Sequence, residues 1–209
     1  MTASRLTFFH ALQSRSTGAR ALLEELGADY DLHLLDLKAG TQRQPDYLAI
    51  NPMGKVPAVL HEGALVAEQP AVFIYLADLY PDAGLAPPLG DPLRGPYLRW
   101  LVFYGSCFEP ALIDRSMQRD PPPPSRSPYG SWDDVFNALS AQLAAGPWLL
   151  GERFTAADVL WGIALDWTTQ FGLVPDTPVI RAFIDRVAAR PAVQRAAAKD
   201  AALLAAKPA

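Results

Sequence analysis

Leu6-Thr7-Phe8-Phe9 is a short apolar run of strand length. From Gln13 onward, Ala19, Leu22, Leu23 and Leu26 fall at i, i+3, i+4 and i+7, the stripe of a helix that Gly27 ends. Tyr30, Leu32 and Leu34 alternate with Asp31 and His33, which predicts a second strand, and the crossover of about 20 residues suits a parallel, right-handed βαβ pair. Residues 46–50 supply one helical turn. Residues 56–60 and 64–67 then flank Glu62-Gly63 as a hairpin. Val72, Tyr75, Leu76 and Leu79 repeat the helical stripe and stop before Pro81, so the predicted order is βαβαββα.

Residues 81–96, rich in proline and glycine, sustain neither a helix nor a central strand and are assigned as a linker. They separate a first domain, 1–80, from an all-helical second domain, 97–209. In the second domain Leu98, Leu101, Val102 and Gly105 begin a long stripe that the proline run 121–124 breaks. Residues 132–145, 156–171 and 179–189 supply further helices, and Pro191 separates an alanine-rich final one. The proline run is either a stiff connection or a polyproline ligand for an aromatic groove, and compact enzymes mostly use such runs as connections.

With 209 residues, 50% of them hydrophobic, the chain can build one large or two small cores. No run of about 18 apolar residues appears, and the segment 6–10 is too short for the apolar part of a secretory signal. A cytoplasmic location with no membrane partner is therefore expected. The single cysteine, Cys107, allows neither an internal disulfide nor a CxxC redox centre, so thiol chemistry would use Cys107 or a borrowed thiol. His10, His33 and His61 are scattered without ligand spacing, so no metal is expected. A net charge of −4 with singly spread basic residues argues against nucleic acid as a partner.

Candidate chemistry gathers at element starts. The first helix opens with Gln13-Ser14-Arg15-Ser16-Thr17-Gly18, and free N–H groups at such a start favour an anion, a thiolate included; Ser14 or Ser16 can equally be a plain cap. Val56-Pro57 follows Gly54-Lys55 at the head of a strand, where a cis bond would turn the backbone amide and carbonyl outward, although trans is the usual state. Glu68-Gln69-Pro70 precedes the third helix, and Glu68 there can be an acidic cap without any ligand. Thr155-Ala156-Ala157-Asp158 has capping-box spacing ahead of Leu160, Ile163, Ala164 and Trp167, a structural signature rather than a catalytic one.

Taken together, these pieces resemble the cytosolic glutathione transferase superfamily over almost the whole chain. The resemblance rests on Ser14-Arg15-Ser16 after a first strand, Glu24-Glu25-Leu26-Gly27, Asn51-Pro52-Met53-Gly54-Lys55-Val56-Pro57, Glu68-Gln69, and Phe154-Thr155-Ala156-Ala157-Asp158, in that order. It is nearest to bacterial and fungal-type members with serine near the first helix. The resemblance implies an α/β thioredoxin-like N-terminal domain that binds glutathione, a cis bond at Val56-Pro57, and an all-α C-terminal domain. It further implies that the main chain at Val56 pairs with the cysteinyl part of glutathione, that Glu68 and Gln69 bind the γ-glutamyl end, and that Gln42, Arg43 and Lys55 face the glycyl carboxylate.

The implied activity is conjugation of the glutathione thiolate to small hydrophobic electrophiles. Alternatives are glutathione-dependent peroxide or disulfide reduction, and a non-catalytic glutathione-binding interaction module on the same fold. A thiol of pKa about 8.5 must be lowered by about two units, roughly 2.7 kcal/mol, to be mostly thiolate at neutral pH. Ser14 is the first choice of donor and Ser16 the second, with Arg15 as positive support. Matching the serine-type first helix favours Ser14, whereas matching the cysteine-type loop puts Arg15 at the position of the mixed-disulfide cysteine and Ser16 beside it. Tyr104, Cys107, Phe108, Trp161 and Trp167 are the candidates for the electrophile pocket, although aromatic residues at helical spacing are more often core. The resemblance also implies a homodimer.

Overall fold

The computed structural model describes residues 6–120, 122–123 and 125–206. Residues 2–5 and two members of the proline run, Pro121 and Pro124, lie outside the described residues. The chain divides into two compact units, 1–83 with 190–209, and 84–189.

The first unit is built on a four-stranded sheet. Strand β1 (Leu6–His10) is followed by helix α1 (Ser16–Leu26), β2 (Asp31–Leu34), α2 (Pro45–Ile50), β3 (Ala58–His61), β4 (Ala64–Val66) and α3 (Gln69–Leu79). The strand order is β2-β1-β3-β4, with β1 parallel to β2 and antiparallel to β3, and β3 antiparallel to β4. Central β1 is almost wholly buried because both of its faces are covered, with Thr7 only partly so and the polar His10 at its end. Phe8 is fully buried, while Phe9 on the opposite face joins Ala11, Leu35, Tyr47 and Ala58 in a cluster. On α1 the predicted stripe Ala19, Leu22, Leu23 and Leu26 is buried, and α3 packs beside it with Val72, Phe73 and Leu76. Edge strand β2 keeps its residues exposed, so the alternation of Leu32 and Leu34 marks an edge rather than a covered face. The hairpin turns at Glu62 and Gly63, both at positive φ (50° and 85°), as a tight two-residue connection requires.

Helix α9 (Pro191–Ala205) also belongs to this unit, although the sequence groups it with the helical domain. Its small buried residues Ala192, Val193 and Ala196 allow close packing on α1, and four of its charges or those just before it meet α1. Arg190 pairs with Glu25, Arg195 and Lys199 with Glu24, and Asp200 with Arg20. The amphipathic stripe of α9 does not reveal which unit it covers.

The second unit consists of α4 (Arg94–Phe103), α5 (Glu109–Ser116), α6 (Trp132–Ala144), α7 (Ala156–Gln170) and α8 (Pro178–Ala188). Helix α4 begins inside the proline-rich stretch, which its first turn tolerates at Pro96. A π-helical turn at Tyr104–Phe108 joins α4 to α5, with Glu109 N–H bonded to the Tyr104 carbonyl. The wider turn accommodates Pro110, which lacks an N–H and whose ring crowds the carbonyl four residues back. At Gly162 a Cβ would lie 2.5 Å from the Val187 side chain, so glycine is what lets α8 lie against α7.

Candidate functional site

The loop entering α1 turns at Gln13, which has a φ of 54°, so the helix begins at Ser16 rather than at Gln13. Ser14 and Ser16 fold back on that loop. Ser14 Oγ donates to the Ala11 carbonyl at 2.7 Å and lies 2.7 Å from Ser16 Oγ, while Ser16 Oγ accepts the Ala11 N–H at 3.0 Å. The two serines differ in access: Ser16 is fully buried, Ser14 is half-buried and Arg15 is exposed. Arg15 occupies the N-cap position in helical geometry and no side chain caps the helix there. The first turn of α1 is thus not closed by an N-cap side chain, as that of α7 is.

The stretch before β3 is rigidly built. Tyr47 Oη and Asn51 Nδ2 both donate to the Lys55 carbonyl, at 2.6 and 3.0 Å. Gly54 sits at φ 58°, and a Cβ on it would meet the Gln42 carbonyl at 2.6 Å, so no other residue fits. Burial raises the Tyr47 phenol above its ordinary pKa, with the Asn51 bond opposing, which keeps its hydrogen available to donate. These anchors hold Lys55 exposed and precede a cis peptide bond at Val56-Pro57. Arg43 reaches the Met53 carbonyl at 3.2 Å, and Gln42 Oε1 is buried without a hydrogen-bond partner among the described residues.

At the start of α3 the exposed Glu68 has φ 67° and ψ 120°, a conformation that a residue with a Cβ rarely adopts. Gln69 Nε2 donates to the Arg15 carbonyl at 3.2 Å, tying α3 to the α1 loop, and its Oε1 is buried without a partner among the described residues. The strained backbone of one residue and the bare amide oxygen of the next thus lie side by side at the start of α3.

Two residues that sequence reasoning passed over join the serine loop from within the same unit. His10 Nδ1 lies 2.8 Å from Ser16 Oγ, and His10 Nε2 lies 3.1 Å from Asp200 Oδ1 on α9. The only hint in the sequence is a histidine at the end of a short apolar run; Asp200, 190 positions away, gives none.

In the second unit, Tyr104, Phe108 and Trp161 are interior residues, 1%, 1% and 0% exposed. The Phe108 and Trp161 rings lie 4.9 Å apart, Tyr104 meets Trp161 edge-on, Trp161 Nε1 donates to the Trp100 carbonyl, and Tyr104 Oη donates to Glu109. Cys107 and Trp167 keep partial exposure, with Cys107 Sγ 3.6 Å from the Pro128 carbonyl and Trp167 edge-on to Phe171. Thr155 and Asp158 form a sealed box: the Asp158 carboxylate accepts from the N–H of Leu149 and of Thr155 and from the Thr155 hydroxyl. Burial pushes the Asp158 carboxyl up to about 6 against those bonds.

Among the described residues no group of three or more His, Cys, Asp or Glu could hold a metal ion, and no helix is long and apolar enough to cross a membrane. Residues 4–78 match the glutathione S-transferase N-terminal domain and residues 132–191 the C-terminal domain. A maleylacetoacetate isomerase of Pseudomonas aeruginosa is 33% identical, over 87% of this chain and 92% of its own. A glutathione S-transferase, GstA, of Escherichia coli O157:H7 is 29% identical over 91% and 96%. The structure of a sphingomonad glutathione S-transferase complexed with glutathione superposes with a TM-score of 0.76 at 30% identity, over 93% of this chain and 98% of that one. A βαβαββα unit with its serine loop, a helical unit with its sealed Thr155-Asp158 box, and relatives matched nearly end to end lead to one assignment: the chain belongs to the glutathione S-transferase family.

Proposed function

We propose that this glutathione transferase conjugates the glutathione thiolate to small hydrophobic electrophiles, with Ser14 as the hydrogen-bonding partner of the sulfur. The observation that carries the choice is access. Ser16 is fully buried and occupied on all sides, whereas the Ser14 hydroxyl is half-buried at the open start of an 11-residue helix. A hydroxyl and a helix terminus together supply the stabilisation a thiolate needs.

Glu68 and Gln69 bind the γ-glutamyl end, which would reward the strained backbone of one and fill the bare amide oxygen of the other. The Val56 main chain, ahead of Pro57, pairs with the cysteinyl amide. Lys55, Arg43 and Gln42 receive the glycyl carboxylate, and Arg15 adds positive charge. Of the electrophile candidates, Cys107 and Trp167 keep the exposure that a substrate contact requires, while Tyr104, Phe108 and Trp161 are buried in the helical unit. The protein works as a cytoplasmic homodimer, which sedimentation of the purified chain would test.

The reading is tested by turnover of a chlorinated nitroaromatic and of an organic hydroperoxide, measured side by side on the wild type and on Ser14→Ala. Conjugation is expected in the wild type and a loss of about tenfold or more in the variant, the size of a lost charge-assisted hydrogen bond. A wild type that reduces the hydroperoxide but does not conjugate would move the assignment to peroxide reduction. Inactivity with both would leave a glutathione-binding module.

A further inference from the structure

Behind Ser14 runs a line of polar groups that its role toward the sulfur does not by itself require. Ser14 Oγ is 2.7 Å from Ser16 Oγ, Ser16 Oγ is 2.8 Å from His10 Nδ1, and His10 Nε2 is 3.1 Å from Asp200 Oδ1. Ser16 and His10 are 0% exposed, and the Asp200 side chain is 15% exposed. An imidazole sealed at the end of an apolar strand, stacked on Phe8, costs stability relative to an apolar residue of similar shape. Its presence there, bonded at both nitrogens, calls for a use.

The direction of the chain follows from its far end. Burial opposes ionisation of Asp200, but the bonds from His10 and Arg20 outweigh it and hold the carboxyl below its ordinary pKa. An ionised carboxylate only accepts, so the hydrogen of a neutral His10 sits on Nε2 and leaves Nδ1 as an acceptor, the starting state that proton uptake requires. In that state Ser16 Oγ, which receives the Ala11 N–H and also lies 3.1 Å from the Ala11 carbonyl, supplies its hydrogen to the nearer Nδ1. The Ser14 hydrogen therefore points inward, to Ser16 Oγ or the Ala11 carbonyl, and since Ser14 Oγ also receives the Ser16 N–H at 3.2 Å, one lone pair is left for a ligand. In this resting state Ser14 can accept from a thiol S–H but has no hydrogen to give.

We propose that Ser14, Ser16, His10 and Asp200 form a relay that removes the thiol proton of bound glutathione, an inference that rests on the Ser14 reading above. The S–H bond breaks, its electron pair stays on sulfur, and its proton joins Ser14 Oγ. The Ser14 hydrogen passes to Ser16 Oγ and the Ser16 hydrogen to His10 Nδ1, so a thiol and a neutral imidazole become a thiolate and an imidazolium, with no proton or electron gained or lost overall. Each hydrogen bond reverses in the same step: His10 donates to Ser16, Ser16 to Ser14, and Ser14 to the thiolate. Asp200 stabilises the imidazolium through Nε2–H. The groups that temper it are Arg20, paired with the same carboxylate, and Thr17 Oγ1, 3.3 Å from Asp200 Oδ2; Phe8 on the strand is uncharged.

The test is the pKa of the bound glutathione thiol, followed by the ultraviolet absorbance of the thiolate, in Asp200→Asn, His10→Asn and Ser14→Ala. Asparagine at position 10 keeps an acceptor toward Ser16 but cannot take a proton. Both relay variants are expected to raise the thiol pKa by about one unit while glutathione affinity changes less than about threefold. A purely structural role for His10 and Asp200 would leave that pKa where it is. If Ser14→Ala raises the pKa and the two relay variants do not, the relay is overturned and the Ser14 reading stands. If none of the three moves it, the Ser14 reading falls and the relay with it. Should His10→Asn fail to fold, Asp200→Asn, altered at the more exposed end, decides alone.

Discussion

The starts of α1 and α7 have similar sequences, hydroxyl residues followed by a helical stripe, and opposite structures. At α7 the hydroxyl and carboxylate of Thr155 and Asp158 close on each other and on neighbouring N–H groups, and both residues are fully buried. At α1 the hydroxyls turn backward into the loop, the N-cap residue Arg15 makes no capping bond, and Ser14, which takes only the Ser16 N–H, stays partly accessible. A closed start nucleates a helix and fixes its entry, whereas an open start leaves dipole and hydroxyl available to an incoming anion. Which of the two a serine- or threonine-led helix becomes is decided by partners outside the segment, not by the segment.

The largest expected effect lies at the closed start. Asp158→Ala strands the buried N–H groups of Leu149 and Thr155 and should cost about 3 kcal/mol or more of stability, read by thermal or denaturant unfolding. The same variant should leave the thiol pKa of bound glutathione unchanged, and a large change in it would erase the contrast between the two helix starts.

A smaller effect concerns pH. The folded-state pKa of Asp158, about 6, lies above its ordinary 3.8, so the folded form binds the proton more tightly than the unfolded one. Its contribution to stability is fully present below about 3.8, declines as pH rises to about 6, and is flat above that, a span of up to about 3 kcal/mol. Subtracting the stability–pH curve of Asp158→Asn from that of the wild type should isolate this decline; a difference that rises across the window would mean that the hydrogen bonds, not burial, govern the group.

The smallest effect lies at α3. Glu68→Gly relieves the positive φ and should stabilise the fold by up to about 1 kcal/mol while weakening glutathione binding, measured by calorimetry. Equal affinity in wild type and variant would show that the strained start of α3 serves the fold rather than the ligand.

The sequence reveals most where structure is local. The Glu62-Gly63 turn, the stripe of α1 and the Thr155-Asp158 box each follow from residues within a few positions of one another. It fails where the decisive partner is remote. Ser16 is buried against His10 at the end of β1, but the partner on the far side of that histidine is Asp200 on α9, which nothing near the serines announces. Metal-ligand spacing among the three histidines carries no sign of a single imidazole between a serine and a carboxylate. The π turn before Pro110 and the pairing of α9 with α1 are hidden for the same reason: a helical stripe reports its own buried face but not what covers it.

The attachment of α9 to α1 also bears on how the chain is made. Residue 200 is synthesised 190 positions after residue 10, and the whole of 84–189 leaves the ribosome between them. The sheet and its first helices can form early from nearby residues, but His10 must wait for Asp200 and α1 for its covering helix until the intervening helical unit has been translated. During that interval the nascent first unit exposes the face of α1 that α9 later covers, so the completed site marks a chain that has folded through to α9.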